Sequence, residues 1–319
     1  MKITTVVPAY KPKYLADLLH ALLRQTVRPH QVIFSDDSPE QDFVRLLKSG
    51  PLAELASGLD IEVVEGPRRG AFANWRHSLE TFGGRTEFFH MLCDDDVMYP
   101  SFYERHLQAH AHGNFGVTVS RRWTADEAGQ PIRDLPVPAS VANGAGSLVS
   151  LDASVLFYAT CARGTNWLGE VSNALYRADA ARLISDPQVG GIGYLGLEDI
   201  GSFLCSTLTR PVCYINDHLG FFRTSSGQNS AQHYGRPLKL AFLAYLALSM
   251  IGRNAGHLTT EHLNYCLGVI GQGVLRHYAQ QEDMQDACTV LRDWMQGVPG
   301  AEDRFLQVWQ AYSGYPMAG

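Results

Sequence analysis

The sequence predicts an α/β fold, a mostly parallel sheet with helices on both faces, followed by a helical region. Three observations carry this. Short β-rich runs alternate with helical stretches as far as Trp123, the pattern of strands joined by helical crossovers. The chain has 319 residues, 45% of them hydrophobic, which is enough to bury a core without cross-links. From about residue 236 onward only helical spacing remains.

Taken in order, Ile3 to Pro8 reads as a strand, and Tyr14 to Arg24 as a helix, with Leu15, Leu18, Leu19, Leu22 and Leu23 on one face. Gln31 to Ser35 is the second strand, Asp42 to Lys48 a short helix and Ile61 to Glu65 the third strand. Phe72 to Phe82 follows as a helix and Glu87 to Cys93 as the fourth strand. Pro100 stands where the next helix would begin, since a proline at the first helical position forfeits no hydrogen bond. Phe115 to Arg121 reads as the fifth strand. Thr124 to Ser150, rich in Pro, Gly, Ala and Ser, reads as a loop or a pair of short strands, and Leu151 to Arg223 mixes both signals. Lys239 to Arg253 is apolar nearly all round and predicts a buried helix. Core packing is its simplest reading, an oligomer seam the next, and membrane-surface contact the least supported, because it lacks the cationic face of an interfacial helix.

Charged residues are only 18% and the net charge is -6, with no basic stripe. Nucleic acid is therefore excluded as a main partner. Six scattered cysteines without ligand spacing exclude a disulfide scaffold and imply a reducing compartment. MKITTVVPAY lacks the apolar core of a signal peptide, and Leu240 to Ile251 is too short to span a bilayer. The expected location is cytoplasmic, at most peripheral to the membrane.

In an open α/β sheet ligands bind beyond the carboxyl ends of the strands. Three polar segments sit there: Pro8-Ala9-Tyr10-Lys11, Asp36-Asp37-Ser38 and Asp94-Asp95-Asp96. One strand-end aspartate would be read as a cap or turn former. Three side by side repel one another unless a cation offsets them. Mg²⁺ and Mn²⁺ prefer hard oxygen ligands, and Mg²⁺ commonly takes one or two carboxylates plus substrate phosphates, so the cluster reads as a metal-diphosphate site. No Gly-x-x-x-x-Gly-Lys phosphate loop is present to do that work instead.

The ordered segments VVPAYK, FSDDS, GPRRGAFANW, MLCDDDVMYP and GLED resemble those of a family 2 glycosyltransferase with the GT-A fold, over about the first 225 residues. The resemblance implies a GT-A domain over 1–235, with a nucleotide-binding half (1–123) and an acceptor-side half (124–235), before the helical region 236–319. It implies an inverting, metal-dependent transfer from a UDP- or dTDP-sugar to a glycan or lipid-linked acceptor in surface polysaccharide synthesis, with Mn²⁺ or Mg²⁺. Pro8, Ala9 and Tyr10 match the segment lining the base, and Asp37 the aspartate that accepts from the pyrimidine N–H. Arg69 and Asn74 match the stretch nearing the sugar diphosphate; a solvated arginine is the other reading of Arg69. Asp94 would lie near the ribose and Asp95, with Asp96, at the metal, although Cys93 stands where the acidic motif often begins.

Asp199 of Glu198-Asp199 matches the general base of such enzymes, the group that takes the proton of the attacking hydroxyl; a helix cap is the alternative. Trp167, Glu170 and Glu198 are candidates for acceptor binding, a core tryptophan being the alternative for Trp167. His233-Tyr234 could form a lid. The Tyr-Arg-x-His segment of many relatives is replaced here by Phe222-Arg223-Thr224-Ser225, with His218 nearby as a further ligand candidate or a structural histidine. The Gln-x-x-Arg-Trp motif of processive synthases is absent. A sugar nucleotidyltransferase and a glycosyltransferase-like subunit without turnover are the competing readings.

Overall fold

The computed structural model describes residues 1–142, 146–225 and 233–314. In chain order the strands are β1 (Ile3–Ala9), β2 (Gln31–Asp36), β3 (Ile61–Glu65), β4 (Phe88–Met91), β5 (Val97–Met98), β6 (Val117–Ala125), β7 (Pro131–Asp134), β8 (Leu148–Leu151), β9 (Ala174–Arg177), β10 (Gln188–Val189), β11 (Ile192–Gly193) and β12 (Val212–Arg223). The helices are α1 (Leu15–Leu23), α2 (Asp42–Lys48), α3 (Pro51–Ala56), α4 (Ala71–Phe82), α5 (Phe102–His112), α6 (Ala139–Ala142), α7 (Ala153–Cys161), α8 (Arg182–Ser185), α9 (Glu198–Ser206), α10 (Arg236–Asn254), α11 (Thr260–Tyr278), α12 (Gln285–Met295) and α13 (Ala301–Ser313).

These elements form two compact units, each discontinuous in sequence. One takes Met1–Ser150, Leu168–Asp186 and Thr209–Ser225; the other takes Leu151–Trp167, Pro187–Leu208 and Ser226–Gly319. The second unit thus draws two whole segments, and the start of its third, from the stretch that the sequence reading assigns to the acceptor-side half.

The first unit is built on a sheet of order β3-β2-β1-β4-β9-β6-β12-β5, with β7 beside β6 and β8 beside β12. β3, β2, β1 and β4 are parallel, Val6 facing Ile33 on one side and Met91 on the other. All seven residues of β1 are buried, as expected for a strand covered on both faces. On α1, Leu15, Leu18, Leu19 and Leu22 are fully buried, so the 3.6-residue spacing read from the sequence marks the face on the core. Beyond β4 the directions mix: β9 is antiparallel to β4 and β6, while β12 is parallel to β6.

Three local differences from the sequence reading have physical causes. The helix expected at Pro100 starts at Phe102, because the Pro100 carbonyl accepts from the Thr26 N–H at 2.9 Å. α3 escapes periodicity, being six residues opened by Pro51. β5 is two residues pairing antiparallel with Gly220 and Phe221, a ribbon that fixes the far side of the Asp94–Asp96 turn. Only glycine fits at 220, where a Cβ would lie 2.5 Å from the Val97 carbonyl oxygen.

Three histidines are buried in this unit. His90 Nδ1 meets the Tyr103 hydroxyl at 3.0 Å, His106 Nδ1 meets Thr118 Oγ1 at 2.7 Å and His110 Nε2 meets the Leu175 carbonyl at 3.2 Å. Burial lowers all three, His90 and His110 to about 4 and His106 well below the usual imidazole value. A histidine held neutral in the fold adds stability that is present above its unfolded value and is lost as the pH falls through 6.5 toward the folded value. Buried carboxyls that are raised, Asp94 among them, act with the opposite sign, so the histidine share must be read as a difference. Relative to a His106→Gln variant, the native protein is expected to lose up to about 1.5 kcal/mol between pH 6.5 and pH 5. Urea melts of both proteins at the two pH values measure it, and a pH-independent difference would refute it.

In the second unit α10 packs among α7, α11 and α13, and Leu243, Ala244, Leu246, Ala247, Leu248 and Met250 on it are fully buried. Core packing is therefore what its apolar surround serves. Gly252 lets α7 come close, since a Cβ there would lie 2.7 Å from the Phe157 ring. The buried Lys239 ammonium is held by Asp283 at 2.7 Å. Among the described residues no helix is long and apolar enough to cross a membrane.

Candidate active site

The carboxyl ends of β1, β2 and β4 come together in the first unit as the sequence requires. After β2, the two aspartates divide. Asp36 is fully buried and accepts from the N–H groups of Ser38 and Val44, both at 3.0 Å, which caps the start of α2. Asp37 instead accepts from the Arg68 N–H and donates its own N–H to the Ala9 carbonyl at 2.9 Å, joining the ends of β1 and β2 to the loop before α4. Gly66 makes that approach possible: a Cβ there would lie 2.7 to 2.8 Å from Asp37 Oδ1, Cα and N. Arg68 adopts φ +53° in the same loop, a left-handed conformation uncommon for a residue with a side chain.

Pro8 and Ala9 are buried at the end of β1, and Tyr10 stands out from it at 56% exposure. Arg69 is exposed and makes no ion pair among the described residues. Asn74 is the residue expected near the sugar diphosphate. It is buried on α4, its amide donating to the Ser35 carbonyl at 3.1 Å and accepting from Ser35 Oγ at 2.5 Å. Both ends of the side chain are used to tie α4 to β2, so Asn74 shapes the site from behind.

The Asp94–Asp96 turn gives each aspartate different partners. Asp94 Oδ2 accepts from the backbone N–H groups of Tyr10 and Lys11, both at 2.5 Å. Burial raises its carboxyl to about 6 in spite of those two donors. Asp95 carries the Lys11 ammonium on Oδ2 at 2.5 Å. Lys11 is raised from its ordinary value: burial lowers it, and the hydrogen bond and charge of Asp95 outweigh that. Asp96 is fully buried; its Oδ1 accepts from the Arg223 N–H at 3.1 Å, and Oδ2 has no hydrogen-bond partner among the described residues. Burial, with Asp95 beside it, pushes Asp96 well above the usual carboxylate range. Cys93, in place of the customary first aspartate, donates its N–H to Ser172 Oγ at 3.0 Å.

Sequence reasoning missed Arg223. Its buried guanidinium donates to the Asp95 carbonyl at 2.9 Å, to the Glu127 carbonyl at 2.5 Å and to Asp17 at 2.9 Å. The end of β12 is thereby fastened to the acidic turn at both Asp95 and Asp96. In the segment Phe222–Ser225, which lacks the histidine of many relatives, it is the arginine that meets the acidic turn. His218 stacks on Trp123 with ring centres 3.9 Å apart and faces Asp134 at 3.1 Å, a structural setting on β12.

Among the described residues no group of three or more His, Cys, Asp or Glu side chains is arranged as a metal cage. The turn offers a sparser donor set: the Asp95 carboxylate, already drawing a cation, and the unpartnered Asp96 Oδ2. That set fits a hard divalent ion that takes one or two carboxylates and completes its shell with water and phosphate oxygens.

Two acceptor candidates have other duties. Glu170 pairs with the buried Arg122 guanidinium, Oε2 accepting at 2.8 Å, and closes a capping box with Asn173. Trp167, only 2% exposed, donates its indole N–H to Thr160 Oγ1 at 3.0 Å. It is a core tryptophan and offers no open face for stacking a sugar.

Glu198 and Asp199 open α9 in the second unit, both half-buried. Glu198 Oε1 accepts from the Gly196 N–H at 2.9 Å, and burial raises its carboxyl. Asp199 Oδ1 accepts from the Ile200 N–H at 2.7 Å, and its charge, after burial, is a cause of the upward shift of Tyr245 on α10. The run Gly191-Ile-Gly193-Tyr-Leu-Gly196 spells a dinucleotide-type glycine pattern, but the strand within it is β11, the second strand of an antiparallel ribbon with β10, and not a parallel strand leading into a helix. Gly196, at φ +95°, lies against α10, where a Cβ would come within 2.7 Å of Leu240 Cβ. The tail helix is thus the bed on which the Asp199 loop rests. His233 and Tyr234 lie just before α10, where the Tyr278 hydroxyl donates to the His233 carbonyl at 3.0 Å.

Carboxylates and an exposed aromatic thus gather at the ends of the parallel strands β1, β2 and β4. Residues 4–161 match the family described as "Glycosyl transferase family 2", and the chain carries a glycosyltransferase domain of that family. A search of curated proteins gives no match. Among solved structures, S. aureus TarS is similar at 14% identity and a TM-score of 0.57, over 98% of this chain and 55% of that one. The chain therefore spans about half the length of TarS. The 1-349 form of TarS in complex with UDP aligns at 13% identity and a TM-score of 0.55, over 98% of this chain and 90% of that one. The complex with UDP-GlcNAc aligns at 14% and 0.52, over 98% and 91%. At this identity the likeness concerns the fold, which is GT-A.

Proposed function

We propose that the protein transfers a sugar from a uridine- or thymidine-diphosphate donor to a hydroxyl of a glycan or lipid-linked acceptor of a surface polysaccharide, with inversion at the anomeric carbon. The observation that carries the reading is the division of labour at the strand ends. Asp37 is held against the Gly66–Arg68 loop, where it would take the pyrimidine N–H; Tyr10 is exposed at the end of β1, where it would cover the base; and the Asp94–Asp96 turn would face the diphosphate. UDP in two TarS complexes supports uridine as the first nucleotide to test.

Asp95, with Asp96 Oδ2 behind it, would hold Mn²⁺ or Mg²⁺, which supplies charge to stabilise the leaving diphosphate. The chain's own residues do the rest. Asp94 locks the Tyr10–Lys11 backbone, Arg223 holds the turn, and Asp199 takes the proton of the attacking hydroxyl as the new bond forms. A single displacement by that hydroxyl inverts the centre.

The test is a thermal-shift screen of UDP, dTDP, GDP and their sugars with and without Mn²⁺. A ligand that binds only the folded state raises its stability by about 2.7 kcal/mol at a hundredfold excess over its Kd. UDP or dTDP compounds are expected to raise the melting temperature in the presence of Mn²⁺. A flat response to every nucleotide would refute the reading.

A further inference from the structure

The ammonium of Lys11 occupies the position on Asp95 at which a divalent ion would bind. Its Nζ lies 2.5 Å from Asp95 Oδ2. The other cations nearby are committed elsewhere: the Arg223 guanidinium goes to two backbone carbonyls and Asp17, and Lys13 goes to Glu127 at 3.0 Å. The pair is asymmetric. The Asp95 side chain is 10% exposed on a turn fastened by Arg223, whereas that of Lys11 is 41% exposed. The Lys11 backbone is pinned by its N–H on Asp94 and by Pro12 after it. What can move is the flexible four-carbon stem with its charge.

We infer that Lys11 is a built-in counter-cation that keeps Asp95 closed to divalent metal until a nucleotide diphosphate arrives. This rests on the reading of Asp95 as the metal ligand. Without donor, a metal ion must displace the ammonium from the carboxylate it pairs with, and the loss of that charge-assisted hydrogen bond opposes binding. With donor, the diphosphate oxygens offer the ammonium a new anion within reach of the same stem. Lys11 exchanges one partner for another, and Asp95 is released to the metal. Metal and donor then bind cooperatively, each strengthening the other by the same factor.

The experiment is Mn²⁺ binding to the full-length protein, read from the electron paramagnetic resonance signal of free Mn²⁺, with and without UDP, for the native protein, Lys11→Met and Lys11→Arg. The native protein and Lys11→Arg are expected to bind Mn²⁺ weakly alone and at least tenfold more tightly with UDP. Lys11→Met is expected to bind Mn²⁺ alone at least fivefold more tightly than the native protein, with the UDP effect reduced by a similar factor. Equal UDP-free Mn²⁺ affinity in the native protein and Lys11→Met, with UDP binding intact, would overturn the inference and leave the proposed function standing. Failure of the native protein to bind UDP at all would remove both.

Discussion

Asp199→Asn is expected to lower sugar transfer by about a hundredfold to ten-thousandfold, the span that one well-placed general base supplies. Donor binding should survive, because the residues proposed to hold the nucleotide all belong to the first unit and Asp199 to the second. The fold should survive too: asparagine keeps the size of the side chain and an oxygen able to accept from the Ile200 N–H. Measuring kcat with a competent acceptor beside the UDP dissociation constant separates the two effects. A variant that transfers at the native rate would take Asp199 out of the mechanism, and one that loses UDP binding in step with activity would assign it to donor recognition.

Asp95→Asn should cost as much in a different currency. The change removes the carboxylate charge proposed to draw the divalent ion, while the Asp95 carbonyl still receives the Arg223 guanidinium. Calorimetric titration of UDP is expected to show an affinity that no longer rises when Mn²⁺ is added, and transfer should fall by about a hundredfold or more, in line with the several kcal/mol that metal charge provides to a leaving diphosphate. An Asp95→Asn protein whose UDP affinity still responds to Mn²⁺ as the native protein does would move the metal to another residue.

The sheet was legible in the sequence where strands are buried on both faces and helices carry a clean apolar stripe. β3 and α2 fall where periodicity puts them, and β1 and β2 differ only at their ends. Legibility failed where partners distant in sequence decide. The two-residue β5 exists only because Gly220 and Phe221 lie beside it, and no local pattern announces that. The site followed the same rule. Residue type and strand-end position single out Asp37, Asp94 and Asp95 as candidates, but that Asn74, Trp167 and Glu170 bond to Ser35, Thr160 and Arg122 depends on partners that no local pattern shows. Arg223 was hidden for the converse reason, since an arginine at a strand end shows no periodicity and its acceptors are mostly backbone carbonyls.

The strand order of the large sheet has a consequence for the making of the protein. β12 lies between β6 and β5 in space, yet it is more than ninety residues later in the chain than either begins. As the chain emerges during synthesis, β6 is therefore complete long before the neighbour that will cover its edge. For that interval its backbone donors and acceptors on one side are open, the kind of edge that pairs with a stray strand. The acidic turn waits as well, because its fastening arginine is the last residue of β12. A nascent chain stalled before residue 212 should be prone to association and unable to bind nucleotide, and competence should appear in one step as β12 enters its slot.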